Sequence, residues 1–269
     1  MARTVIDAVV KLGGSVVTDK GSDELRVRTE VVRRLAEEIA GASLDRLVLV
    51  HGAGSYGHRI VQRTGIDRGT QVPSALVAWA ETQRLQYLLA AEVAAIFIGV
   101  GVPAIPLQAS ASARLRAGVL EKMDLEVARH ILEQGGVPMF YGVPAIDTEQ
   151  GCAILSGDQI APYAATGLGI DTLVYATDVD GVYEGVPKNG STRPIPHIHR
   201  GNWEHVAARL GGSTHVDVTG GMAGKIAALL QATRKGVRAR IVDANVDGRV
   251  AEALAGGDVG TLVSWEKRA

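Results

Sequence analysis

Basic side chains accompany glycine-rich turns at three places in this chain. The basic residues concerned are Lys11 together with Lys20, His58, and Lys225. Glycines let the backbone bring its N–H groups close to a ligand, and a lysine or histidine beside them adds a further donor. This combination is suited to anions, and phosphate groups above all. The sequence therefore points first to phosphate chemistry.

The first two of these turns directly follow runs of apolar residues. Val5–Leu12 leads into Gly13-Gly14-Ser15, and Leu47–Val50 leads through His51 into Gly52-Ala53-Gly54. Apolar runs of this length before glycines are typical of buried strands. A helix beginning near Gly57 would point its positive end at the second turn.

Each of these features also has an ordinary structural explanation. Lys11 can simply extend its alkyl stem from the end of a strand. His58 can be a solvated residue after a tight strand-to-helix turn. One such turn is therefore moderate evidence, and the interpretation depends on several of them meeting in one place.

Two further segments, in the second half of the chain, are glycine-rich or acidic turns that follow a strand or open a helix. Asp158 follows Ser156-Gly157 at the start of an Ala-rich helix, where a carboxylate can either cap the helix or organise a site. Thr177–Tyr183 is an acidic turn after a strand. The run Gly220–Lys225 is not a Walker A loop, because its glycines are too close and no Ser or Thr follows the lysine.

Alternating strands and helices predict an α/β fold with a mainly parallel sheet covered on both faces, a three-layer αβα sandwich. We expect one domain over residues 1–269, with lobes of about 1–170 and 171–269. The predicted strands are Val5–Leu12, Leu47–Val50, Ala104–Leu107, Val137–Tyr141, Thr172–Ala176, Arg238–Val242 and Thr261–Val263. The predicted helices are Val27–Ile39, Ser74–Ile98, Leu125–Gln134, an Ala-rich one after Ser156-Gly157-Asp158 that ends at Leu168, one opened by Asp217–Lys225 that runs to about Lys235, and Arg249–Leu254, with a hairpin tip at Gly118.

Composition excludes several classes of partner. The net charge is −1, from 28 basic and 29 acidic residues, so there is no overall attraction to nucleic acid or to an anionic membrane. Cys152 is the only cysteine, which fits a reducing compartment. No signal peptide or membrane span is evident, and we expect a cytoplasmic protein.

Two other enzyme classes fit the glycine turn less well. Gly52–Gly57 matches the dinucleotide fingerprint G-x-G-x-x-G, but no acidic residue ends a second strand about 20 residues later, where a predicted helix lies. A serine-hydrolase elbow needs a glycine where Ala53 stands. In a parallel sheet such turns instead gather at the carboxyl ends of the strands, which suggests a phosphate donor and a phosphate acceptor in one site.

Five segments of the chain together resemble the amino acid kinase family. They are Lys11–Ser15 with Lys20, His51–His58, Ser156–Asp158, Thr177–Tyr183 and Asp217–Lys225, in the family order. Within that family the turn closed by His58 is most similar to that of the isopentenyl phosphate kinases. The resemblance implies ATP-dependent phosphorylation of isopentenyl phosphate or a related alkyl monophosphate, in isoprenoid biosynthesis. Fosfomycin kinases share a histidine in the matching turn, and a non-catalytic nucleotide-binding regulator of the same fold also stays open.

The resemblance also implies roles for individual residues. Lys11 and Lys225 would bridge the β- and γ-phosphates of ATP, Lys20 would follow the γ-phosphoryl group, and Asp158 would orient the lysines. Main-chain donors to the moving group would come from Gly13, Gly14 and Ser15. The acceptor phosphate would be held by Gly52, Ala53, Gly54, His58 and Gly157, and the nucleotide by Thr177, Asp178, Asp180, Gly181, Tyr183, Gly220, Gly221 and Met222.

The resemblance further implies Mg²⁺, held mainly by the phosphates because no carboxylates cluster in the sequence. It also implies a homodimer. From their positions on the long helix and on the segment before Asp158, Trp79 and Ile154 are the residues we expect to line the pocket for the acceptor's hydrocarbon chain.

Overall fold

A computed structural model of the chain describes residues 6–19, 25–183, 193–210 and 221–266. Its strands are β1 (Ile6–Leu12), β2 (Leu44–His51), β3 (Ala104–Leu107), β4 (Ala113–Arg116), β5 (Val119–Met123), β6 (Val137–Tyr141), β7 (Val143–Asp147), β8 (Gly151–Leu155), β9 (Thr172–Thr177), β10 (His197–Ile198), β11 (Arg238–Asp243) and β12 (Thr261–Val263). Its α-helices are α1 (Gly14–Val17), α2 (Thr29–Gly41), α3 (Gly54–Thr64), α4 (Ala75–Gly99), α5 (Glu126–Glu133), α6 (Gly157–Leu168), α7 (Trp203–Ala207), α8 (Gly221–Thr233) and α9 (Arg249–Leu254).

The described strands form an eight-stranded sheet in the order β10-β12-β11-β9-β1-β2-β6-β3. Its neighbours run parallel except β11 and β12, which are antiparallel. The central strand β1 lies between β2 and β9, with Lys11 opposite Val50 on one side and Tyr175 on the other. The mainly parallel sheet predicted from the sequence is confirmed.

Side chains of the central strands alternate between two cores. In β1, Ala8, Val10 and Leu12 join one buried cluster, whereas Val9 joins the other. Successive residues of a strand point to opposite faces, so the two clusters lie on opposite faces of the sheet. Helices α2, α3, α4 and α9 contribute to the first cluster, and α5, α6 and α8 to the second. This is the expected three-layer αβα arrangement.

A second, four-stranded sheet in the order β5-β4-β7-β8 was not foreseen. It contains the hairpin of β4 and β5, whose tip is at Ala117-Gly118, and the antiparallel pair β7 and β8. Most residues of β7 and β8 are buried, so the segment Val143–Leu155 shows little of the alternation between polar and apolar residues that marks short strands. These strands lead directly into α6.

The helix expected near Gly57 begins earlier, at Gly54. The N–H of Ser55 donates to Thr18 Oγ1 at 2.9 Å, which gives the first turn of this helix a hydrogen-bond acceptor that is remote in sequence. His58 is consequently the fifth residue of α3 and half-buried, not the residue that closes a loop. None of the helices in the described part of the chain is long and apolar enough to cross a membrane.

Candidate active site

The turns after β1, β2 and β9 meet at the carboxyl edge of the main sheet. The N–H of Gly13 donates to Ala176 O at 2.8 Å, and the N–H of Gly52 donates to Leu12 O at 2.9 Å. The pairing of the strands thus continues into the first residue of each glycine turn. The strand register therefore fixes the positions of the turns relative to one another along the strand direction, at the edge where parallel sheets bind ligands.

Lys11, Asp158 and Lys225 form one charged group beside these turns. Lys11 Nζ lies 2.9 Å from Asp158 Oδ1, and Lys225 Nζ lies 3.1 Å from both carboxylate oxygens. Burial raises the pKa of Asp158, but the two ammonium groups lower it by more, so it lies well below its usual value. The carboxylate therefore stays ionised, and the trio carries a net charge of +1 that favours an anionic ligand.

Asp158 is the second residue of α6, whose N-cap is Ser156. The Ser156 side chain makes no capping hydrogen bond, and the carboxylate of Asp158 is directed to the two lysines. Of the two possibilities left open by the sequence, the geometry favours an organising group over a helix cap.

Tyr175 lies beneath both ammonium groups. Lys11 Nζ and Lys225 Nζ are 5.4 Å and 5.6 Å from the centre of its ring. Its hydroxyl donates to the carbonyl oxygen of Asp158 at 3.2 Å. Burial and the charge of Asp158 raise the pKa of Tyr175 well above its usual value. The hydroxyl therefore stays protonated, and the two ammonium groups lie over an uncharged aromatic ring.

The glycine turns after β1 and β2 pack backbone against backbone. A Cβ atom on Gly14 would lie 2.7 Å from Gly54 N, and one on Gly52 would lie 2.6 Å from Gly14 N. Gly54 itself has φ of +53°, in the region that favours glycine. Only residues without side chains allow this approach, which brings the amino ends of α1 and α3 together.

Thr18 joins the two turns by its side chain. Its hydroxyl donates to Gly14 O and accepts from the N–H of Ser55, both at 2.9 Å. Thr18 is fully buried. The separation of the two turns is therefore set by two hydrogen bonds to one buried hydroxyl as well as by the close backbone contact.

Gly157 lies beside the same turns. A Cβ there would lie 3.4 Å from both His51 O and Lys11 Cε. The start of α6 is thus in contact with β1 and β2 at the point where the glycine turns begin. The structure brings together the predicted residues Lys11, Gly13, Gly14, Ser15, Gly52, Ala53, Gly54, Gly157, Asp158 and Lys225.

The acidic turn after β9 is anchored to the far end of the sheet. Thr177 Oγ1 accepts the N–H of Val179 at 3.0 Å, and the N–H of Val182 donates to Thr261 Oγ1 at 2.8 Å. The hydroxyl of Tyr183 donates to Asp180, and this bond is the main cause that raises the pKa of Tyr183 to about 12. Asp178 and Asp180 are exposed, so the turn presents polar groups to solvent at the carboxyl edge.

Two of the predicted residues, Lys20 and Gly220, lie outside the described residues. Gly221 begins α8 and Met222 packs against the second core cluster, three residues before Lys225.

Trp79 and Ile154 both pack against the first core cluster. Trp79 also lines an open cavity of about 400 Å³ together with Leu76, Ala80, Gln83, Gln108, Ser110 and Ile146. Ile154 is not among the lining residues of that cavity, although Ile146 of the neighbouring strand is.

Tyr175, Thr18 and Gln86 escaped the sequence analysis. Tyr175 reaches the site because it is opposite Lys11 in the parallel pair, and Gln86 because α4 packs on α3. The one available signal was spacing: Thr82 and Gln86 are polar but lie four residues apart, on the helix face that also carries Ala78, Leu85 and Leu89.

Comparison with known proteins gives the family. The model of the amino acid kinase family matches residues 8–243, which is most of the chain. The chain is a member of the amino acid kinase family.

Particular members of the amino acid kinase family are similar over nearly the whole chain. The isopentenyl phosphate kinase of Methanothermobacter thermautotrophicus is 35% identical, over 95% of this chain and 98% of that protein. The isopentenyl phosphate kinase of Methanocaldococcus jannaschii is 29% identical, over 96% of this chain and 99% of that protein. A crystal structure of isopentenyl phosphate kinase superposes with a TM-score of 0.81 at 33% identity, covering 95% of this chain and 99% of that one.

Proposed function

We propose that this chain transfers the γ-phosphoryl group of ATP to isopentenyl phosphate and so forms the diphosphate. The observation that carries the proposal is the direct backbone contact between the two glycine turns beside the Lys11–Asp158–Lys225 group. The first turn leads into the single helical turn α1 and the second into the longer helix α3, and the backbone N–H groups of two such glycine turns side by side can hold two phosphate-bearing ligands. The names of the similar proteins supply the identity of the acceptor.

On the donor side, Lys11 and Lys225 hold the β- and γ-phosphates, and Lys20 follows the transferred group. Asp158 keeps the two ammonium groups at 2.9 Å and 3.1 Å from its carboxylate, so they are in place before ATP arrives. The N–H groups of Gly13, Gly14 and Ser15 act as main-chain donors to the transferred group.

On the acceptor side, the N–H groups of Gly52, Ala53 and Gly54 hold the phosphate, with His58 as a side-chain donor. Because Gly157 has no side chain, it leaves room for the phosphate between β2 and α6. The hydrocarbon chain would extend toward Trp79 and Ile154, which border the same apolar cluster.

The nucleotide is held by the second lobe, about residues 171–269, and the acceptor by the first, about 1–170. The nucleotide-binding residues in this proposal are Thr177, Asp178, Asp180, Gly181, Tyr183, Gly220, Gly221 and Met222. The anchored turn after β9 supports this placement, because it lies beside the Lys11–Asp158–Lys225 group at the same edge of the sheet.

The transfer needs no strong general base, because a phosphate oxygen is already anionic at neutral pH. The obstacle is the repulsion between two anions, so positioning and charge stabilisation must do most of the work. The net positive charge of the trio and the backbone N–H groups of the two glycine turns reduce this repulsion.

We include Mg²⁺ in the proposal as an ion bound with ATP. Across the described residues no three His, Cys, Asp or Glu side chains are grouped so that they could hold a metal ion. A Mg²⁺ ion coordinated largely by phosphate oxygens and water fits such a site. Bound there, it would neutralise phosphate charge.

The proposal also includes a cytoplasmic homodimer. Large apolar side chains are exposed on α4 and on the edge strand β3, which is the kind of surface that protein interfaces cover. They are Leu76, Val77, Tyr87, Leu88, Ile98 and Ile105.

The test is a coupled assay for ADP release with ATP and one of three acceptors: isopentenyl phosphate, fosfomycin or a simple alkyl phosphate. The product is identified by ³¹P NMR, where a diphosphate gives two coupled resonances. We expect isopentenyl phosphate to have the highest kcat/KM. Faster turnover of fosfomycin would make the chain a fosfomycin kinase, and ATP binding without transfer to any acceptor would make it a regulator.

A further inference from the structure

The unpartnered buried polar atoms of the described side chains lie around a single turn. They are His51 Nε2, Ser55 Oγ and Gln86 Oε1. His51 and Ser55 flank the Gly52–Gly54 turn in sequence, and Gln86 reaches it from α4. A buried polar atom without a partner destabilises a fold by about 1–3 kcal/mol. In His51 and Gln86 the other polar atom of the same side chain is bonded to the turn.

His51 is bonded to the turn through its other ring nitrogen. Nδ1 lies 3.1 Å from Gly52 O, and because a carbonyl oxygen only accepts, Nδ1 must carry the proton. Burial lowers the pKa of His51 to about 4, so the ring is neutral in this tautomer. The ring also stacks on Tyr141, with 5.5 Å between ring centres and 17° between planes.

Gln86 is bonded to the turn through its amide nitrogen. Nε2 donates to Ala53 O at 3.3 Å, from a side chain that is fully buried on α4. The same nitrogen lies 3.1 Å from the place a Cβ on Gly57 would occupy, so the amide rests against the first turn of α3. Two successive carbonyls, of Gly52 and Ala53, are thus each bound by a buried side chain.

Holding a carbonyl fixes the N–H that follows it. In a planar trans peptide the C=O and N–H point in opposite directions. With the carbonyls of Gly52 and Ala53 directed to His51 and Gln86, the N–H groups of Ala53 and Gly54 are directed away from those side chains. These are two of the donors assigned above to the acceptor phosphate.

We propose that His51 and Gln86 are positioning residues, which hold the peptide units of the acceptor turn so that the N–H groups of Ala53 and Gly54 face the acceptor phosphate. This inference rests on the proposed function. Neither side chain touches the reacting atoms, and both act through the backbone. Preorganised backbone donors of this kind lower the cost of ordering a site when an anion binds.

A purely structural role predicts different behaviour. If His51 serves only to stack on Tyr141, a ring without a donor should replace it well. If Gln86 only fills space, an apolar side chain of equal length should replace it and should even remove an unpartnered oxygen. The two roles can therefore be separated by substitutions that keep either the shape or the donor.

The experiment compares His51→Phe, His51→Asn and Gln86→Met with the wild type. Phe keeps a ring without a donor, whereas the Asn amide can donate from nearly the position of Nδ1. Thr82→Val is the matched control, since Thr82 is buried on the same helix but donates only to Ala78 O, at 2.7 Å. The readouts are KM for isopentenyl phosphate, KM for ATP, and the melting temperature, with calorimetric binding of isopentenyl phosphate alongside.

We expect His51→Phe and Gln86→Met each to weaken isopentenyl phosphate binding and raise its KM by about 10-fold or more, the usual effect of losing a hydrogen bond to a charged group. KM for ATP should change by less than about 2-fold, which corresponds to less free energy than one hydrogen bond typically contributes. His51→Asn should recover most of the loss despite lacking the ring. Thr82→Val should lower the melting temperature and leave both KM values unchanged.

Two results would overturn the inference. One is a wild-type KM in Gln86→Met, which also decides the matter if His51→Phe does not fold. The other is the reverse order at position 51, with Phe tolerated and Asn impaired. Failure of the proposed function looks different: the wild type itself would then bind and turn over no isopentenyl phosphate.

Discussion

At the scale of single residues, the site depends on charges that are placed before the ligands bind. Asp158 holds Lys11 and Lys225 against its carboxylate, over the ring of Tyr175. A phosphoryl group approaching this trio meets two fixed ammonium groups that need no reorganisation. Fixed donors of this type favour the transition state over the bound substrate.

Replacing Asp158 by Asn should separate positioning from binding. The lysines remain able to contact phosphates but lose their common anchor, so kcat should fall by about 100-fold or more while KM for ATP does not rise. Without nucleotide, the two ammonium groups are left without their carboxylate and the melting temperature should drop. Steady-state kinetics and thermal unfolding with and without ATP measure both effects.

The control for this variant is Asp171→Asn, because Asp171 is an exposed carboxylate at the other end of β9. It should have wild-type kcat and stability. An Asp158→Asn enzyme with normal kcat would mean that the carboxylate has no organising role.

His58→Ala should remove acceptor binding selectively. The side chain is half-buried on α3, one helical turn from Gly54, where a donor can face the acceptor phosphate. We expect kcat/KM for isopentenyl phosphate to fall by about 100-fold or more, with calorimetric ATP binding unchanged and partial activity in His58→Gln. His130→Ala, an exposed histidine on α5, is the control, and equal kinetics for the two alanine variants would contradict the role.

The neutral, buried His51 should also make the fold sensitive to mild acid. Its pKa is about 4 in the folded state and near 6.5 when unfolded, so between these values only the unfolded chain binds the proton. Stability therefore falls as the pH drops below 6.5, by up to about 3 kcal/mol near pH 4. The stability that Asp158 contributes, by contrast, is lost only below its unfolded value of about 3.8.

Urea unfolding from pH 7.5 to 4.5 of the wild type and His51→Asn measures this contribution. The variant lacks the titrating group, so the wild type should lose about 2 kcal/mol more over that range. Parallel pH profiles for the two proteins would show that His51 is not buried in the neutral form.

At the scale of elements, the glycine turns determine how closely α1 and α3 approach. Their contact is made by backbone atoms on both sides, which cannot move aside as a flexible side chain can. The parallel pairing of β1 with β2 sets the direction of the approach, and Thr18 sets its distance. The two glycine turns are therefore held against each other at a defined distance.

Gly52→Ala should therefore push the two glycine turns apart. The new methyl group would lie 2.6 Å from Gly14 N and 3.0 Å from Gly14 Cα, so the turns must move apart. A displacement near 1 Å can cost about 100-fold in rate, and we expect kcat to fall by that order. In Gly41→Ala, the methyl group meets no atom within 4 Å, so activity should be unchanged and stability slightly higher.

At the scale of the molecule, the residue that holds the acceptor turn, Gln86, and the proposed dimer surface lie on the same helix, α4. Gln86 faces inward on α4 and contacts the turn, whereas the neighbouring Tyr87 and Leu88 face outward. Covering the outer face of α4 would hold the helix that carries Gln86. Assembly and acceptor binding would then depend on one element.

Leu88→Glu should split the proposed dimer. Leu88 is 47% exposed, and a carboxylate there would have to be buried in the interface. Light scattering should give twice the 28.2 kDa chain mass for the wild type and one chain mass for the variant. The control is Val127→Glu on α5, which is 61% exposed and should stay dimeric, and a wild-type monomer would refute the dimer.

The sequence by itself determined most strands of the main sheet, the longer helices and the chemistry of their ends. Strand and helix periodicity depends on neighbouring residues, and a glycine turn after an apolar run needs no distant partner to be recognised. Lys11, Asp158 and Lys225 could be chosen because each lies at such an end. The start of α3 was misplaced by three residues because it depends on Thr18, which is remote in sequence.

Only the tertiary structure decided which side chains meet. The contacts of Lys11 with Tyr175 and of Gln86 with Ala53 follow from strand register and helix packing, which local spacing does not encode. The second sheet went unrecognised for a related reason, since short strands buried on both faces lose the alternation that marks them. Register and packing are set by the free energy of the whole core, and a residue's place in them is therefore a property of the folded molecule.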